Sequence, residues 1–471
     1  MNYLTDEQLE QINLATFTVL EETGYRIKSR KALDIFKQAG ALVDYENELV
    51  KIPKEIVLKA IDTAPSKLTL FGRGGSQVRL GEGKKVYYMN GYGSVNYFDW
   101  KTQERRPNTK DDLINYVRII NNMKNCSIYF NEVTPQELPT NMMDRYNAQI
   151  ILEYCEQPAF LENWTIEGVY DVLEMLKVVR GQDWVKKPTG CLQLCTISPL
   201  VIDKSSAERM IEIVKSGIPL VFGSLPQSGG TAPATLAGTL VLLNAEALGG
   251  LTFSQLINPG SPFIFNDFAA AMDQKYGMFA SGGPEMALMQ GAANQLITYN
   301  GMLKIGTSGG TESNTPDIQA GYEKAFTTLY AALSGVEVIH GAVSGWVQSL
   351  LTHCPAMTVI SNEMCGYIDR ILKGVEVTDE TLAVDIINDI GPGGNFLMHP
   401  HTVENFKLES WIPDFGKRMN FDLWKAQGKR SIMDFAQEKV DSILSEEPVF
   451  YISDGAREKI NEIVRKAGEN K

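Results

Sequence analysis

The spacing of apolar residues changes along the chain, and its central part repeats one pattern. From about residue 86, a short run of apolar residues precedes a stretch with apolar residues three and four apart, and this unit recurs about eight times. Strands that are apolar on both faces are typical of a parallel sheet covered by helices. The repeats therefore predict a (β/α)8 TIM barrel over residues 86–378, with an open doubly wound sheet as the alternative.

The segments on either side of the predicted barrel have different patterns. Residues 1–85 show helical spacing and then short strand-like pieces with tight turns. The spacing of Thr5 and Gln8 resembles a capping box, and Gly24 predicts the end of the first helix. Residues 379–471 become polar and helical after a glycine-rich start. We expect an N-terminal unit of helices and small strands and a C-terminal helical extension, both packed on the barrel.

Composition and charge exclude several classes of partner. Hydrophobic residues make up 44% of the chain and charged residues 21%, which is typical of a folded protein with a substantial core. The net charge of −13 disfavours nucleic acid and anionic membrane surfaces. The most apolar window, residues 234–253, contains Asn244 and Glu246 and is interpreted as a buried helix. Without a signal-like N-terminus or any CxxC pair among six cysteines, we expect a reduced, cytoplasmic protein.

A glycine-rich loop follows the seventh predicted strand. Residues 303–325 read LKIGTSGGTESNTPDIQAGYEKA, and strand-to-helix turns of this kind often bind phosphate. No lysine follows the glycines as in a phosphate-binding loop, and no lysine or arginine lies at any predicted strand end. A barrel enzyme for a phosphorylated metabolite is therefore kept only as an alternative.

Aromatic and uncharged polar residues, with a few carboxylates, occupy the predicted strand ends, where barrel active sites form. Rings beside a carboxylate suit an organic cation such as a quaternary ammonium, which is held by cation–π contacts and Coulomb attraction. The expected members of such a cage are Tyr92, Tyr97, Trp164, Phe222, Phe265 and Trp346. Each of these rings, taken alone, is equally well explained as a core residue of the barrel.

Acid–base and metal chemistry are poorly supplied in this sequence. The chain has four histidines, and it contains neither a Ser-His-Asp pattern nor a Gly-x-Ser-x-Gly elbow. Cys191 and Cys195 lie on one face of a predicted strand and make, with His353, only a weak candidate for zinc. We expect neither an acid–base catalyst nor a metal site.

Three segments, residues 96–113, 306–325 and 391–415, resemble the trimethylamine methyltransferase superfamily, and the run PDIQAGYEK at 316–324 is the most specific match. The resemblance spans nearly the whole chain. It implies a TIM-barrel enzyme that moves a methyl group from a methylated amine to the cobalt of a separate corrinoid protein. Founding members carry pyrrolysine near the strand-seven loop, whereas residues 309–314 here are ordinary. The chain thus resembles the non-pyrrolysine branch, whose members demethylate glycine betaine, proline betaine or carnitine.

The resemblance also implies roles for residues and partners. A quaternary amine already has a full positive charge and a good leaving group, so we expect positioning rather than acid–base catalysis. Glu312 would add negative charge near the cation, while Thr307, Ser308, Asn314 and a protonated His353 would bind a betaine carboxylate. The sequence has no Asp-x-His-x-x-Gly cobalamin motif. We therefore expect no cofactor on this chain and a corrinoid on a partner protein. Separately, we expect the chain to form a homo-oligomer.

Two further functions stay open at this point. The first is a zinc-dependent corrinoid methyltransferase that acts on methanol or a methylthiol. The second is a protein that binds quaternary amines without turnover. Metal analysis and a methyl-transfer assay, respectively, distinguish them from the function that the resemblance implies.

Overall fold

Eight short parallel strands form a barrel at the centre of the protein, seen in a computed structural model that describes residues 2–83 and 85–469. The strands are β1 (Tyr87–Met89), β2 (Cys126–Ile128), β3 (Ala159–Leu161), β4 (Gly190–Cys195), β5 (Leu220–Ser224), β6 (Phe263–Asp267), β7 (Leu303–Thr307) and β8 (Val338–His340). They pair in the order β3 to β8 and then β1 and β2. A parallel bridge between Tyr129 and Ala159 joins β2 back to β3. The predicted (β/α)8 fold is confirmed.

A helix follows each barrel strand. These helices are α1 (Lys110–Asn121), α2 (Met143–Tyr154), α3 (Ile166–Arg180), α4 (Lys204–Ser216), α5 (Leu236–Ile257), α6 (Pro284–Tyr299), α7 (Ile318–Leu333) and α8 (Pro355–Lys373). The starts of α1, α3, α4 and α7 are capped by side chains that accept backbone N–H groups; Thr109, for example, forms a capping box with Asp112 before α1, and Asp203 caps α4. Helix α1 therefore begins directly after Thr109.

Helix α5 contains the apolar window singled out in the sequence. It is the one helix in the described part of the chain that is long and apolar enough to cross a membrane, and 78% of that window is buried inside the protein. It packs against β5, β6 and the N-terminal helix Asp6–Thr18. The structure therefore agrees with its interpretation as a core helix.

Residues 2–83 form helices, a small sheet and a hairpin. The elements are the helices Asp6–Thr18, Arg30–Gln38 and Lys54–Thr63, and the strands Tyr25–Ile27, Leu42–Asp44, Leu49–Lys51, Leu68–Phe71 and Gln77–Leu80. The capping box of Thr5 and Gln8 is present. The hairpin of the last two strands places Leu70, Val78 and Leu80 in the apolar cluster that fills the barrel interior. It thereby closes the barrel at the end where the strands begin.

The C-terminal part contains helices of two kinds. The first four are α9 (Asp379–Leu382), α10 (Val384–Ile390), α11 (Pro400–Glu409) and α12 (Phe421–Ala426). They lie within residues 371–432, all of which the structure describes and none of which is buried. The last two, α13 (Ile432–Ser445) and α14 (Asp454–Glu469), pack on α1 and α8 and on α2 and α3, respectively. The domain boundaries proposed at residues 85 and 379 stay predictions.

Two small sheets connect loops at the end of the barrel where the strands finish. One joins Asn96–Asp99 and Glu104–Pro107 to Trp346–Val347 and Thr352–His353, and so ties the loop after β1 to the loop after β8. The other joins Gln227–Ser228 to Ala270–Asp273 and Met278–Phe279, from the loops after β5 and β6. These pairings hold the mouth of the barrel in a fixed shape.

Candidate functional site

A small cavity lies where β1, β2, β3 and β4 end. Its volume is about 220 Å³, and its lining residues are Tyr92, Phe130, Glu162, Asn163, Trp164, Gln193, Leu194, Cys195, Ser206 and Arg209. The first eight follow or end barrel strands, and the last two come from helix α4. Drug-sized ligands occupy sites of roughly 300–1,000 Å³. This cavity is therefore matched to a ligand of a few heavy atoms.

Glu162 is the carboxylate of the cavity and is buried. Its Oε2 accepts hydrogen bonds from Nδ2 of Asn147 at 2.7 Å and Nδ2 of Asn131 at 3.1 Å. Its Oε1 has no hydrogen-bond partner among the described residues. Burial raises the pKa of Glu162, although hydrogen-bond donors from Asn147, Asn131, Trp164 and Tyr92 act in the opposite direction. An unpaired buried carboxylate oxygen at a cavity is a position that a cationic ligand would stabilise.

Aromatic rings form the walls beside Glu162. Tyr92 stacks on Phe130 with ring centroids 4.3 Å apart and an interplanar angle of 10°. Trp164 is 43% exposed, and its Nε1 lies 3.4 Å from Glu162 Oε2. Burial, and then the charge of Glu162, raises the pKa of Tyr92, so its phenol stays neutral. The rings therefore offer uncharged π faces next to a negative group, as a cation site requires.

The opposite chemistry enters the cavity from helix α4. Arg209 donates from Nη1 to the backbone oxygen and to Oδ1 of Asn163, and from Nη2 to Oγ of Ser206 at 3.0 Å. Cys195 also lines the cavity and is exposed, whereas the other five cysteines are buried. The cavity thus combines one acidic and one basic side chain with an accessible thiol.

A second aromatic group surrounds His340 at the end of β8. The rings of Phe268 and Trp346 each lie 5.3 Å from the imidazole, and that of Phe130 lies 5.4 Å away. Burial lowers the pKa of His340 to about 3, so the ring is neutral. Nδ1 is 3.4 Å from Oγ1 of Thr307, and Nε2 has no partner in the described structure. This group supports the Tyr92–Phe130 wall from behind, since Phe130 belongs to both.

Among the eleven residues named above for the substrate site, only Tyr92 and Trp164 line the cavity. Trp346 is fully buried and donates from Nε1 to the backbone oxygen of Tyr92 at 3.3 Å, so it positions that residue rather than touching the cavity. Thr307 is also fully buried, beneath His340. The structure therefore brings two predicted residues together and puts two more directly behind them.

The glycine-rich loop after β7 uses its backbone donors internally. The N–H of Thr307 bonds to Oε1 of Gln290 at 2.9 Å, that of Ser308 to the oxygen of His340 at 2.8 Å, and that of Gly309 to Oγ1 of Thr327 at 3.1 Å. Backbone N–H groups that are already paired are not available to cradle a phosphate. The N–H groups of Thr307, Ser308 and Gly309 thus connect β7 to β8 and α7 and are not free to bind an anion.

The polar residues expected to bind substrate from this loop point elsewhere. Glu312 accepts hydrogen bonds from the N–H and Oγ of Ser281, both at 2.6 Å, and from the N–H of Gly282. Ser308 Oγ faces Oγ1 of Thr328. The side chain of Asn314 is exposed, and only its backbone oxygen is used. Neither Glu312 nor Asn314 lines the cavity, so the structure does not bring them together with Tyr92 and Trp164.

Phe222 and Phe265 are also corrected. Both are buried in the layer between strands and helices, and a Cβ placed on Gly250 of α5 would lie 2.5 Å from the Phe222 ring. Their neighbours Val221 and Ile264 face the barrel interior instead. Because successive residues of a strand point to opposite sides, these two phenylalanines face outwards and cannot form a cage inside the mouth.

Tyr97 and His353 belong to the small sheet at the rim. The guanidinium of Arg106 lies 4.3 Å from the Tyr97 ring centroid, so that face already holds a cation. His353 is fully buried between the rings of Tyr97 and Tyr116, and its Nδ1 is 3.1 Å from the oxygen of Asn96. Burial lowers the pKa of His353 to about 4. His353 therefore favours the neutral form, and it does not line the cavity.

Other candidate sites are less suited to chemistry. A larger groove of about 690 Å³ runs between α7, α8 and the chain around Trp411, but it lies outside the barrel and is lined mainly by apolar side chains. Within residues 2–83 and 85–469, no three His, Cys, Asp or Glu side chains are grouped as metal ligands. The cavity at the strand ends therefore remains the candidate functional site.

Sequence reasoning missed Arg209 and named Glu312 rather than Glu162, which is the carboxylate that lines the cavity. Glu162 ends a predicted strand and stands two residues before Trp164, and this was a usable signal. Arg209 comes from the second turn of α4, six residues after its capping Asp203. The sequence analysis considered only residues at the ends of predicted strands. It therefore could not identify Arg209, whose side chain reaches the cavity from a helix.

A (β/α)8 barrel with a small cavity of rings, one unpaired carboxylate and one guanidinium at its strand ends has the architecture of a small-molecule barrel enzyme. Comparison with known proteins makes the class specific. The family model described as "Trimethylamine methyltransferase (MTTB)" matches residues 1–470. The chain belongs to the trimethylamine methyltransferase family.

Individual relatives agree with this assignment. The trimethylamine methyltransferase MttB of Desulfitobacterium hafniense (strain DSM 10664 / DCB-2) is 34% identical over 447 residues, which cover 93% of this chain and 88% of the relative. A glycine betaine methyltransferase of Desulfitobacterium hafniense (strain Y51) is 30% identical and covers 90% and 88%. The crystal structure of the Methanosarcina barkeri monomethylamine methyltransferase MtmB has a TM-score of 0.50 at 14% identity, covering 93% and 94%. That likeness concerns the fold alone.

Proposed function

We propose that this protein demethylates a quaternary amine, such as glycine betaine, proline betaine or carnitine, by transferring an N-methyl group to the cobalt(I) of a separate corrinoid protein. The observation that carries the proposal is the unpaired Oε1 of buried Glu162 in a cavity walled by Tyr92, Phe130 and Trp164. Membership of a methyltransferase family supports the reaction class. The glycine betaine methyltransferase among the relatives supports the substrate class.

The contribution of the chain to such a reaction is positioning. The carbon–nitrogen bond breaks as the methyl group is transferred, and its electron pair stays on nitrogen, which leaves as a neutral tertiary amine. No proton is moved in this step, so no general base is needed. Glu162 and the rings hold the ammonium so that one N-methyl group faces the opening of the cavity. The corrinoid supplies a nucleophile strong enough to accept a methyl group.

The partner and the compartment belong to the same proposal. We infer that the corrinoid arrives on a partner protein and that this chain binds no cofactor of its own, a view supported by the lack of an Asp-x-His-x-x-Gly motif in the sequence. Such a partner docks at the mouth of the barrel, over the cavity. A cytoplasmic location fits the reducing conditions that cobalt(I) needs.

A methyl-transfer assay tests the proposal. The purified chain is mixed with a reduced corrinoid methyl-acceptor protein and with one quaternary amine at a time, and methylation is followed by the change in corrinoid absorbance. We expect at least one betaine to be demethylated. If every amine that binds leaves the corrinoid unmethylated, the chain is a binding protein. If stoichiometric zinc accompanies activity on methanol or a methylthiol, the zinc-dependent alternative replaces the proposal.

A pair of variants assigns activity to the cavity. Trp164→Ala removes a cavity ring, and a cation–π contact of about 1–2 kcal/mol corresponds to a fall in kcat/KM of about 5- to 30-fold. Tyr299→Ala is the matched control, because Tyr299 is a half-exposed ring at the end of α6, on the opposite side of the barrel. Equal activity of the two variants would place the reaction outside this cavity.

We also propose that the protein is a homo-oligomer. Residues 371–432 leave large apolar side chains such as Val375, Leu397 and Met398 more than 70% exposed. Apolar surface of this extent is typical of an interface. Light scattering after gel filtration tests this, and a monomer that stays soluble at micromolar concentration would refute it.

A further inference from the structure

The cavity has two chemically different ends. Glu162 and Arg209 both line its 220 Å³, so a ligand that fills the cavity is within reach of both. A simple cation such as a tetraalkylammonium would use only the acidic end. A ligand that also uses the positive charge of Arg209 must carry an anionic or hydrogen-bond-accepting group at that end.

The acidic end holds several acceptors and few donors. The amide nitrogens of Asn131 and Asn147 are both used by Glu162 Oε2, which leaves Oδ1 of each asparagine, and Oε1 of Glu162, without a partner in the described structure. Three unpaired oxygens in one buried network produce a negative potential. A quaternary ammonium is stabilised there without having to donate a hydrogen bond.

The basic end is held in place and not neutralised. Nε of Arg209 donates to the oxygen of Ser205 at 3.3 Å, and the remaining bonds go to Asn163 and to Ser206. All of these acceptors are uncharged, while the charges of Asp203 and Asp144 act on the guanidinium and favour its charged form. A guanidinium has five N–H donors, so one N–H on Nη2 is left for a ligand. Burial is the main influence on its pKa and acts to lower it.

We propose that Arg209 is the specificity-determining residue of the cavity and binds the carboxylate of a short zwitterion whose ammonium faces Glu162. This inference rests on the proposed function, because it takes the cavity as the substrate site. A ligand with both charges pairs both ends, whereas a cation of similar size leaves the half-buried guanidinium without a charged partner. Losing a charge-assisted hydrogen bond costs more than losing a neutral contact does. The cavity therefore discriminates in favour of betaines over alcohols or simple ammonium ions.

The test compares two ligands that share a trimethylammonium group. Glycine betaine has a carboxylate and choline has a hydroxyl, and their dissociation constants are measured by calorimetry for wild type, Arg209→Met and Glu162→Gln. Arg209→Met is expected to weaken glycine betaine by about 10- to 100-fold and choline by no more than about twofold, because only the former loses a charge-assisted hydrogen bond. Glu162→Gln is expected to weaken both ligands. The ratio of the two affinities is the readout, since a collapsed cavity would lower both.

Controls separate a local contact from general effects of charge and folding. Lys215→Met removes a positive charge from an exposed position of the same helix and is expected to leave both affinities unchanged. Protection of Cys195 from a thiol reagent confirms that each ligand occupies this cavity, because this is the exposed cysteine. An Arg209→Met variant with an unchanged affinity ratio, or with equal losses for both ligands, would overturn the inference.

Binding and turnover answer different questions. If Arg209→Met lowers the preference for glycine betaine over choline but no corrinoid is methylated, the role of Arg209 in binding the carboxylate stands and the proposed reaction is wrong. If Arg209→Met still transfers methyl groups with an unchanged preference for glycine betaine over choline, the proposed reaction stands and the role of Arg209 in binding the carboxylate is wrong.

Discussion

Replacing Glu162 by glutamine removes one negative charge at nearly constant shape. An ammonium about 5 Å from this carboxylate gains about 3 kcal/mol at an effective dielectric constant of about 20. Since the cavity is open to water on one side and the glutamine side chain keeps a carbonyl acceptor, we expect about half to all of that value to be lost. Glu162→Gln should therefore weaken binding of a quaternary amine by about 10- to 100-fold.

The same variant should abolish a dependence of affinity on pH. Burial raises the pKa of Glu162 in the free protein, and a bound cation favours the ionised form and so lowers that pKa. Between the two pKa values, binding of the cation releases a proton, so affinity rises with pH and levels off above the free-state pKa. The dissociation constant is measured by calorimetry from about pH 5 to about pH 8, and proton release is read from two buffers of different ionisation enthalpy.

The outcome that would refute this reasoning is specific. If Glu162→Gln binds the amine as tightly as wild type, Glu162 does not contact the cation. If the rise of affinity with pH persists in that variant, another group takes part in the proton release. Asn147→Ala is a useful comparison, because it removes one donor to Oε2 while the charge of Glu162 remains.

Three further predictions concern stability. Burial lowers the pKa of His353 to about 4 from an ordinary value of 6.5, so its stabilising effect is present above about pH 6.5 and is lost as pH falls towards 4; the drop in Tm from pH 7 to pH 5 should be smaller in His353→Gln than in wild type. Gly250→Ala should lower the free energy of unfolding by about 1–3 kcal/mol, because its Cβ would lie 2.5 Å from the Phe222 ring, whereas Gly321→Ala in α7, which meets no atom within 4 Å, should raise it by about 0.5–1 kcal/mol. Lys304→Met should lower the free energy of unfolding by about 3–5 kcal/mol in chemical denaturation. The lysine Nζ lies 3.2 Å from Oδ2 of Asp267, and its removal leaves that carboxylate buried and unpaired. An unchanged stability in Gly250→Ala, Gly321→Ala or Lys304→Met, or an unchanged drop in Tm from pH 7 to pH 5 in His353→Gln, would contradict the corresponding packing or charge argument.

The fold was accessible from the sequence because its signals are local and repeated. Eight apolar strands alternate with helices, and helix starts such as Thr109 satisfy their own backbone donors. The buried helix α5 was identifiable because Asn244 and Glu246 interrupt an otherwise apolar run. Each of these features depends on a few neighbouring residues, so one sequence is sufficient to read it.

The cavity was only partly predictable, because its residues are selected by three-dimensional direction. Phe222 and Val221 are adjacent apolar residues of one strand, and nothing in a strand that is apolar on both faces shows which of them points inwards. From the sequence, Glu312 and Glu162 are equally plausible as the carboxylate of the site. The structure shows that Glu312 already accepts hydrogen bonds from Ser281 and Gly282. Tyr92 and Trp164 each come three residues after the end of a barrel strand, in loops at the mouth of the barrel, which is where the sequence analysis searched.

The hairpin that carries Leu70, Val78 and Leu80 closes one end of the barrel, so that the barrel is open only at the end where its strands finish. Nothing can pass through its closed end, so whatever enters the cavity must leave by the same route. A methyl acceptor that docks on the mouth covers the entrance while it is bound. Under the proposed function, the amine therefore loads before the acceptor arrives and the demethylated product departs after the acceptor has left, an ordered sequence that product-inhibition kinetics would reveal.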